Sequence, residues 1–258
     1  MLTRVTASTK AVDQSGADAT WRLVYRSGGA AALAVVALVL IQAPLLILYP
    51  IPATVLGHFT QLRDNRPLGL INLDLIFLVS QILSSLVFVA LFASLRRARE
   101  WLMTVALGLA LTGIVLYVAV SPTFSLLYLS DQYAAATTDA QRASFLAAGE
   151  ALWANYQGTA FGVAYILGGI ATLLVAAVML RTRIFGTWTA FIGLLVGATM
   201  LLPPLPAVGT VGVVVSYISL VPLVVWEVLV ALRLFRLASA GGRIDSIGTG
   251  QPGRANFA

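Results

Sequence analysis

The chain has no cysteine, which excludes disulfides, thiolate metal sites and cysteine nucleophiles. It has one histidine, His58, and one lysine, Lys10. A zinc site ordinarily draws on several His, Cys or carboxylate ligands, so a lone histidine without HExxH argues against a metal site. There is no GxSxG, no GxxxxGK[ST] and no Gly-rich dinucleotide loop. No catalytic residue and no cofactor is therefore assigned. Charge is the scarcest property: 10% of the 258 residues are charged, against about 25% in a soluble domain. A water-soluble fold of this length has too much surface to cover with so few.

Long apolar runs take the place of the missing charge. Stretches of roughly 20 apolar residues are long enough to cross a bilayer, and they fall at about 27–49, 68–95, 102–122, 158–180, 186–204 and 208–232. The first run is too long for a signal-peptide core and no small-residue cleavage site follows it. The expected fold is all-α: a polytopic transmembrane helical bundle of six spans occupying 27–237. Polar, aperiodic segments at 1–26 and 238–258 read as disordered tails. Lys and Arg number thirteen before the first apolar run, after the last, and in the second and fourth connections. Only Arg63, Arg66 and Arg142 lie on the other side. That asymmetry places both termini in the cytoplasm. The net charge of +6 follows from this orientation, since the arginines sit at the ends of apolar runs, and it implies no nucleic acid. Fifteen arginines against one lysine, with abundant Ala, Leu and Val, point to a GC-rich bacterial genome and a bacterial plasma membrane.

One connection is long. Within 123–157, Thr138 followed by Gln141 has capping-box spacing. Phe145, Gly149, Leu152, Trp153 and Tyr156 then recur on one helical face. This predicts an outer amphipathic helix over 139–157, before span four, continuous with it or bent near Gly158. Gly158 with Gly162, and Gly193 with Gly197, form GxxxG pairs that let helix backbones approach in lipid. Packing within the chain is expected of them, with a homo-oligomer or another membrane protein as the alternative partner.

Asp74 is the residue hardest to place, a carboxylate inside "LGLINLDLIFLVS". Burying it costs at least about 2.5 kcal/mol on insertion scales, and such residues face protein or water. Gln81 and Ser85 share its helical face, and Gln42 lies at similar depth in span one. Gln42, Asp74, Gln81, Tyr117 and Gln157 are the candidate lining of a polar pocket toward the outer leaflet. Asp74 is equally readable as a tie between helices. Glu227, six residues before Arg233, reads as snorkelling to headgroups or pairing with an arginine. His58 reads as a loop residue near the headgroups.

The segment from Ser130 to Ala198, with "LDLIFL" and "VVWEVLVALRLF", resembles the family known as domain of unknown function 4386, uncharacterised bacterial integral membrane proteins. The resemblance implies a six-span bundle and no established activity. Membrane lipids or a small hydrophobic ligand are the expected partners, for sensing or transport. A structural subunit or assembly factor is the alternative. A lipid-modifying enzyme using His58, Asp74 or Glu150 comes last.

Overall fold

Residues 2–182, 184–202 and 209–248 are described by a computed structural model, with side chains described over 20–182, 184–202 and 218–239. All the described secondary structure is helical. In chain order the helices are α1 (Leu2–Leu48), α2 (Val55–Asp64), α3 (Arg66–Asn72), α4 (Leu75–Leu95) and α5 (Glu100–Val120). They continue as α6 (Thr123–Ala135), α7 (Asp139–Tyr156), α8 (Thr159–Arg181), α9 (Thr187–Met200) and α10 (Gly209–Gly248). Five helical stretches, beginning at Thr20, Leu75, Glu100, Asp139 and Ile218, are long and apolar enough to cross a membrane. The expected fifth span, 186–204, is shorter: α9 has 14 residues, about 21 Å of rise. Residues 203–208, which hold the end of that span and the start of the next, lie outside the described residues.

The expected tails differ from the structure. α1 is helical from Leu2 and α10 continues to Gly248. Between Leu2 and Arg26 there is a single glycine, Gly16, and no proline. Nothing in that backbone stops a helix that the apolar run has already nucleated. Met1 and 249–258 lie outside the described residues.

Six helices pack in a closed ring, α1 on α4, then α5, α8, α9, α10 and back to α1. Neighbours run antiparallel. The start of α5 (Met103), the ends of α4 (Leu95), α8 (Met179) and α10 (Leu234), and Ala190 near the start of α9 share one core cluster. Leu78 of α4, Tyr117 of α5 and Ala164 of α8 gather near the other end. The outer surface of the ring is apolar. Leu40, Ile82, Val115, Phe191 and Val221, on five different helices, are all more than half exposed. Exposed aliphatic side chains on every face suit lipid rather than water.

Small residues set the ring's closeness. A Cβ on Gly113 would lie 2.9 Å from the Ala164 carbonyl oxygen, and one on Gly28 would lie 2.2 Å from Ala90 Cβ. Gly193 and Gly197 also act inside the chain. Gly197 faces Leu173 and the Gly169 carbonyl of α8, while Gly193 leaves room for Ala176 and the Trp226 indole. Gly158 instead caps α8, and Gly162 donates its N–H back to the Gly158 carbonyl. The partner of the α9 glycines is therefore Gly169, outside any GxxxG pair with Gly158.

The remaining helices form a lid over one end of the ring. Val55, Phe59 and Leu62 of α2 pack with Leu73 and with Leu126 of α6. The expected capping box is present at Thr138 and Gln141, and α7 reaches α2 through Gly149, where a Cβ would meet Val55 at 2.7 Å. Arg66 of α3 donates to Asp131 of α6 across the rim.

Gly28→Ala and Gly113→Ala are expected to lower the melting temperature of the detergent-solubilised protein, at a cost of about 1–3 kcal/mol. Gly108→Ala, where nothing lies within 4 Å, serves as the control. Equal melting temperatures for all three would sink the close-packing account.

Candidate functional site

Asp74 is not inside a helix. It stands in the joint between α3 and α4 with φ 63° and ψ 23°, the left-handed conformation, and it is the sole described non-glycine residue with positive φ. Asp and Asn tolerate this region better than other side-chain-bearing residues. The joint is held by named bonds. The Asp74 N–H donates to the Ile71 carbonyl at 3.1 Å, and the Leu78 N–H donates to the Asp74 carbonyl at 2.8 Å. The Thr123 hydroxyl donates to the Leu73 carbonyl. The Asn72 amide donates to Gln61 Oε1 at 3.1 Å and to the Tyr49 carbonyl at 3.3 Å.

The carboxylate of Asp74 is answered from two other helices. Tyr156 at the end of α7 and Tyr117 near the end of α5 both donate their hydroxyls to Oδ2, the latter at 3.4 Å. Aromatic rings surround the pair. Phe77 meets Tyr117 edge-on at 5.0 Å between centroids, Phe161 meets Tyr156 edge-on at 5.1 Å, and Tyr165 lies 4.8 Å from Phe161. Such contacts fix the phenol orientations on which the two hydrogen bonds depend. Tyr156 reaches Asp74 because α7 stops there. Gln157 and Gly158 turn the chain, and α8 restarts at Thr159, so the expected bend near Gly158 is a full break.

Below Asp74 the ring holds a partly open cavity of about 290 Å³, lined by residues of α1, α4, α5, α7, α8, α9 and α10. On α4 the lining runs from Phe77 to Phe88, about 17 Å along the axis. Gln42, Asp74, Gln81 and Tyr117 all line it. Gln157 does not: it is exposed at the end of α7, and Tyr156 takes the place expected of it. The polar stripe on α4 passes through Ser80 and Ser84 rather than Ser85. Asp74 precedes the helix instead of belonging to it, so a wheel counted from Asp74 is out of phase. Gln42 lines the cavity, while the described hydrogen bonds to the Asp74 carboxylate come from Tyr117 and Tyr156.

Two other residues differ from expectation. Glu227 neither snorkels nor pairs with an arginine. It is 4% exposed, lines the cavity beside Trp226, and its Oε2 has no hydrogen-bond partner. The two acids approach the cavity from opposite ends. Asp74 sits by Phe161 at the start of α8, whereas the Trp226 next to Glu227 shares the Gly193 contact with Ala176, fifteen residues or about 22 Å farther along α8. His58 is not a loop residue at the headgroups. It lies on α2, 1% exposed, with its ring 4.7 Å from that of Trp153 and neither nitrogen hydrogen-bonded. Glu150 is exposed on α7, so His58, Asp74 and Glu150 do not converge on one substrate position.

Burial pushes the His58 imidazole down to about 4. Between pH 6.5 and 4 the unfolded chain binds a proton that the folded chain refuses. Stability is then complete above 6.5 and declines as pH falls through that window.

No family model, curated protein or solved structure matches the chain.

Two outcomes are expected at this site. Wild-type protein should lose up to about a factor of ten in folding constant per pH unit between 6.5 and 4 from His58 alone, and His58→Leu should remove that slope. Parallel pH profiles for the two proteins would show that His58 titrates normally. Asp74→Asn should keep the fold, since Asn accepts the left-handed backbone, whereas Asp74→Val should cost about 1–2 kcal/mol through backbone strain alone. Melting curves that rank Val at or above Asn would contradict the strained joint.

Proposed function

We propose that this chain is a six-span protein of a bacterial plasma membrane that binds a lipid or small hydrophobic ligand in its ring cavity, for sensing or transport. The observation that carries the reading is the cavity itself, about 290 Å³ in size and lined from every helix of the ring. Packed helices seldom leave such a volume unused, and apolar pockets with a few placed polar groups are the usual form of small-molecule sites. α9 counts as the sixth span although it is short, because α8 and α10 run the same way and the chain between them has to return. Arg22, Arg26, Arg96, Arg97, Arg99, Arg181, Arg233 and Arg236 flank the part of the ring where Tyr25, Leu95, Met103, Met179 and Leu234 cluster, and on the positive-inside rule that end is cytoplasmic. The lid of α2, α3, α6 and α7 then faces outward, with Tyr156 of α7 closing the outer end of the cavity.

A second reading, as a structural subunit or assembly factor, is favoured by one observation. Phe124 and Tyr128 of α6 are 61% and 62% exposed, beside a shallow groove shared with Ala151 and Leu152 of α7.

Native mass spectrometry as detergent is stripped away separates the two. Wild type is expected to retain a small-molecule species of fixed mass. Ser84→Phe, which adds bulk to the cavity wall and leaves both acids in place, is expected to release it. A protein-sized adduct that is lost on Tyr128→Ser, with no small molecule in either sample, would favour the structural reading instead.

A further inference from the structure

We propose that the ring cavity takes an organic cation, an ammonium or similar onium head on an apolar body, with the head paired to Glu227. This deepens the ligand-binding reading and rests on it. Glu227 is 4% exposed, lines the cavity and leaves Oε2 without a partner. A buried carboxylate without a counter-charge, one of its oxygens lacking any donor, is among the costliest groups a protein holds. The lining offers it no opposite charge: no Lys, Arg or His is among the cavity residues described. On its own helix the next basic residue is Arg233, six residues or about 9 Å along the axis, and its guanidinium donates to the Ile184 carbonyl. Asp74, at the far end, already accepts from Tyr117 and Tyr156. The unpartnered acid is therefore Glu227, and a cationic head in the cavity would pair with its carboxylate and hold it ionised.

The walls decide which kind of cation fits. A hard metal ion needs several oxygen ligands, and among the described residues no group of three or more His, Cys, Asp or Glu gathers. Of the cavity residues, Trp226, Phe88, Leu223, Val196 and Met200 belong to the apolar cluster that holds the neighbour of Glu227, while the hydroxyls of Thr172 and Thr199 donate to the Gly168 and Val196 carbonyls. Such a wall strips a small hydrated ion of its shell and returns little. It suits an onium group, whose charge is spread over carbon and attracted to aromatic faces. Toward Asp74 the lining becomes Phe77, Phe161 and Tyr165, which gives the apolar body of the ligand a stacking surface.

The test uses radiolabelled benzyltrimethylammonium and its neutral isostere neopentylbenzene, in which a quaternary carbon replaces the nitrogen. The full-length protein in detergent is expected to bind the cation saturably, with no displacement by the hydrocarbon. Glu227→Gln should weaken binding by at least about thirtyfold, as expected for loss of a buried charge pair, and Ser84→Phe should abolish it. Should Glu227→Gln fail to fold, the charge selectivity of wild type decides alone. Equal displacement by cation and hydrocarbon would overturn the cation proposal and leave ligand binding standing. The cation proposal falls equally, with ligand binding intact, if the cation does not bind while a species of fixed mass still co-purifies. No binding and no retained species would remove both.

Discussion

The two hydrogen bonds from Tyr117 and Tyr156 to Asp74 are the constraint on which the lid end of this protein depends. They join three separate parts of the chain, α5, the end of α7 and the joint before α4, at one carboxylate. If α4 began at Leu68 as a continuous helix, Asp74 would point wherever the helical phase took it. The left-handed joint frees it from that phase. The lid is fastened at the same place, because the Thr123 hydroxyl of α6 holds the Leu73 carbonyl and Asn72 reaches Gln61 and Tyr49. In hydrocarbon an open backbone carbonyl costs several kcal/mol, so a joint here survives only with such partners. The carboxylate, the amide of Asn72 and the hydroxyl of Thr123 thus solve one problem together.

A ring of six antiparallel helices has a geometric consequence of its own. Four helices at contact distance close over a packed axis, whereas six leave a space unless side chains fill it. Here the half farther from the lid is filled by Leu91, Met103, Val175, Met179 and Leu234. Toward the lid the inward positions are small or polar: Gly113, Ala164, Gly168, Ser80 and Ser84. Gly113 and Gly28 draw neighbouring backbones together around the circumference, so the space is kept by inward-facing residues and not by loose packing. The aromatic cluster at Asp74 closes it above.

Much of the fold was legible in the sequence, for physical reasons. Membrane helices announce themselves by length, and the apolar runs predicted at 68–95, 102–122 and 158–180 have described helices α3–α4, α5 and α8. The capping box at Thr138 and Gln141 is a local chemical signature and was readable as such. The joint at Asp74 was not. "INLDLIFL" contains neither Gly nor Pro at the break, and Asp in αL leaves no mark in composition. Four of the five pocket residues line the cavity because carboxyl, amide and phenol groups in a membrane face protein rather than lipid. Gln157 does not, because it belongs to a turn and not to an intramembrane helix. Its neighbour Tyr156, which bonds Asp74, looks in sequence like one more aromatic on an amphipathic face.

Glu227 shows where such reasoning stops. Its depth along α10, six residues before Arg233, makes snorkelling plausible by itself. Direction decides otherwise. Leu223, Trp226, Glu227, Val230 and Leu234 recur at three- and four-residue steps and form one helical face, of which Trp226, Glu227, Val230 and Leu234 are all buried. In a soluble helix the polar residues opposite would have outlined that face. In a membrane helix both faces are apolar, so the contrast is missing and the phase of a lone acid is invisible. What fixes it is Gly193 on α9, which admits the Trp226 indole between α9 and α8 and so turns the next residue toward the axis. A glycine on one helix thereby sets the direction of a carboxylate on another, a dependence that no single-helix pattern contains.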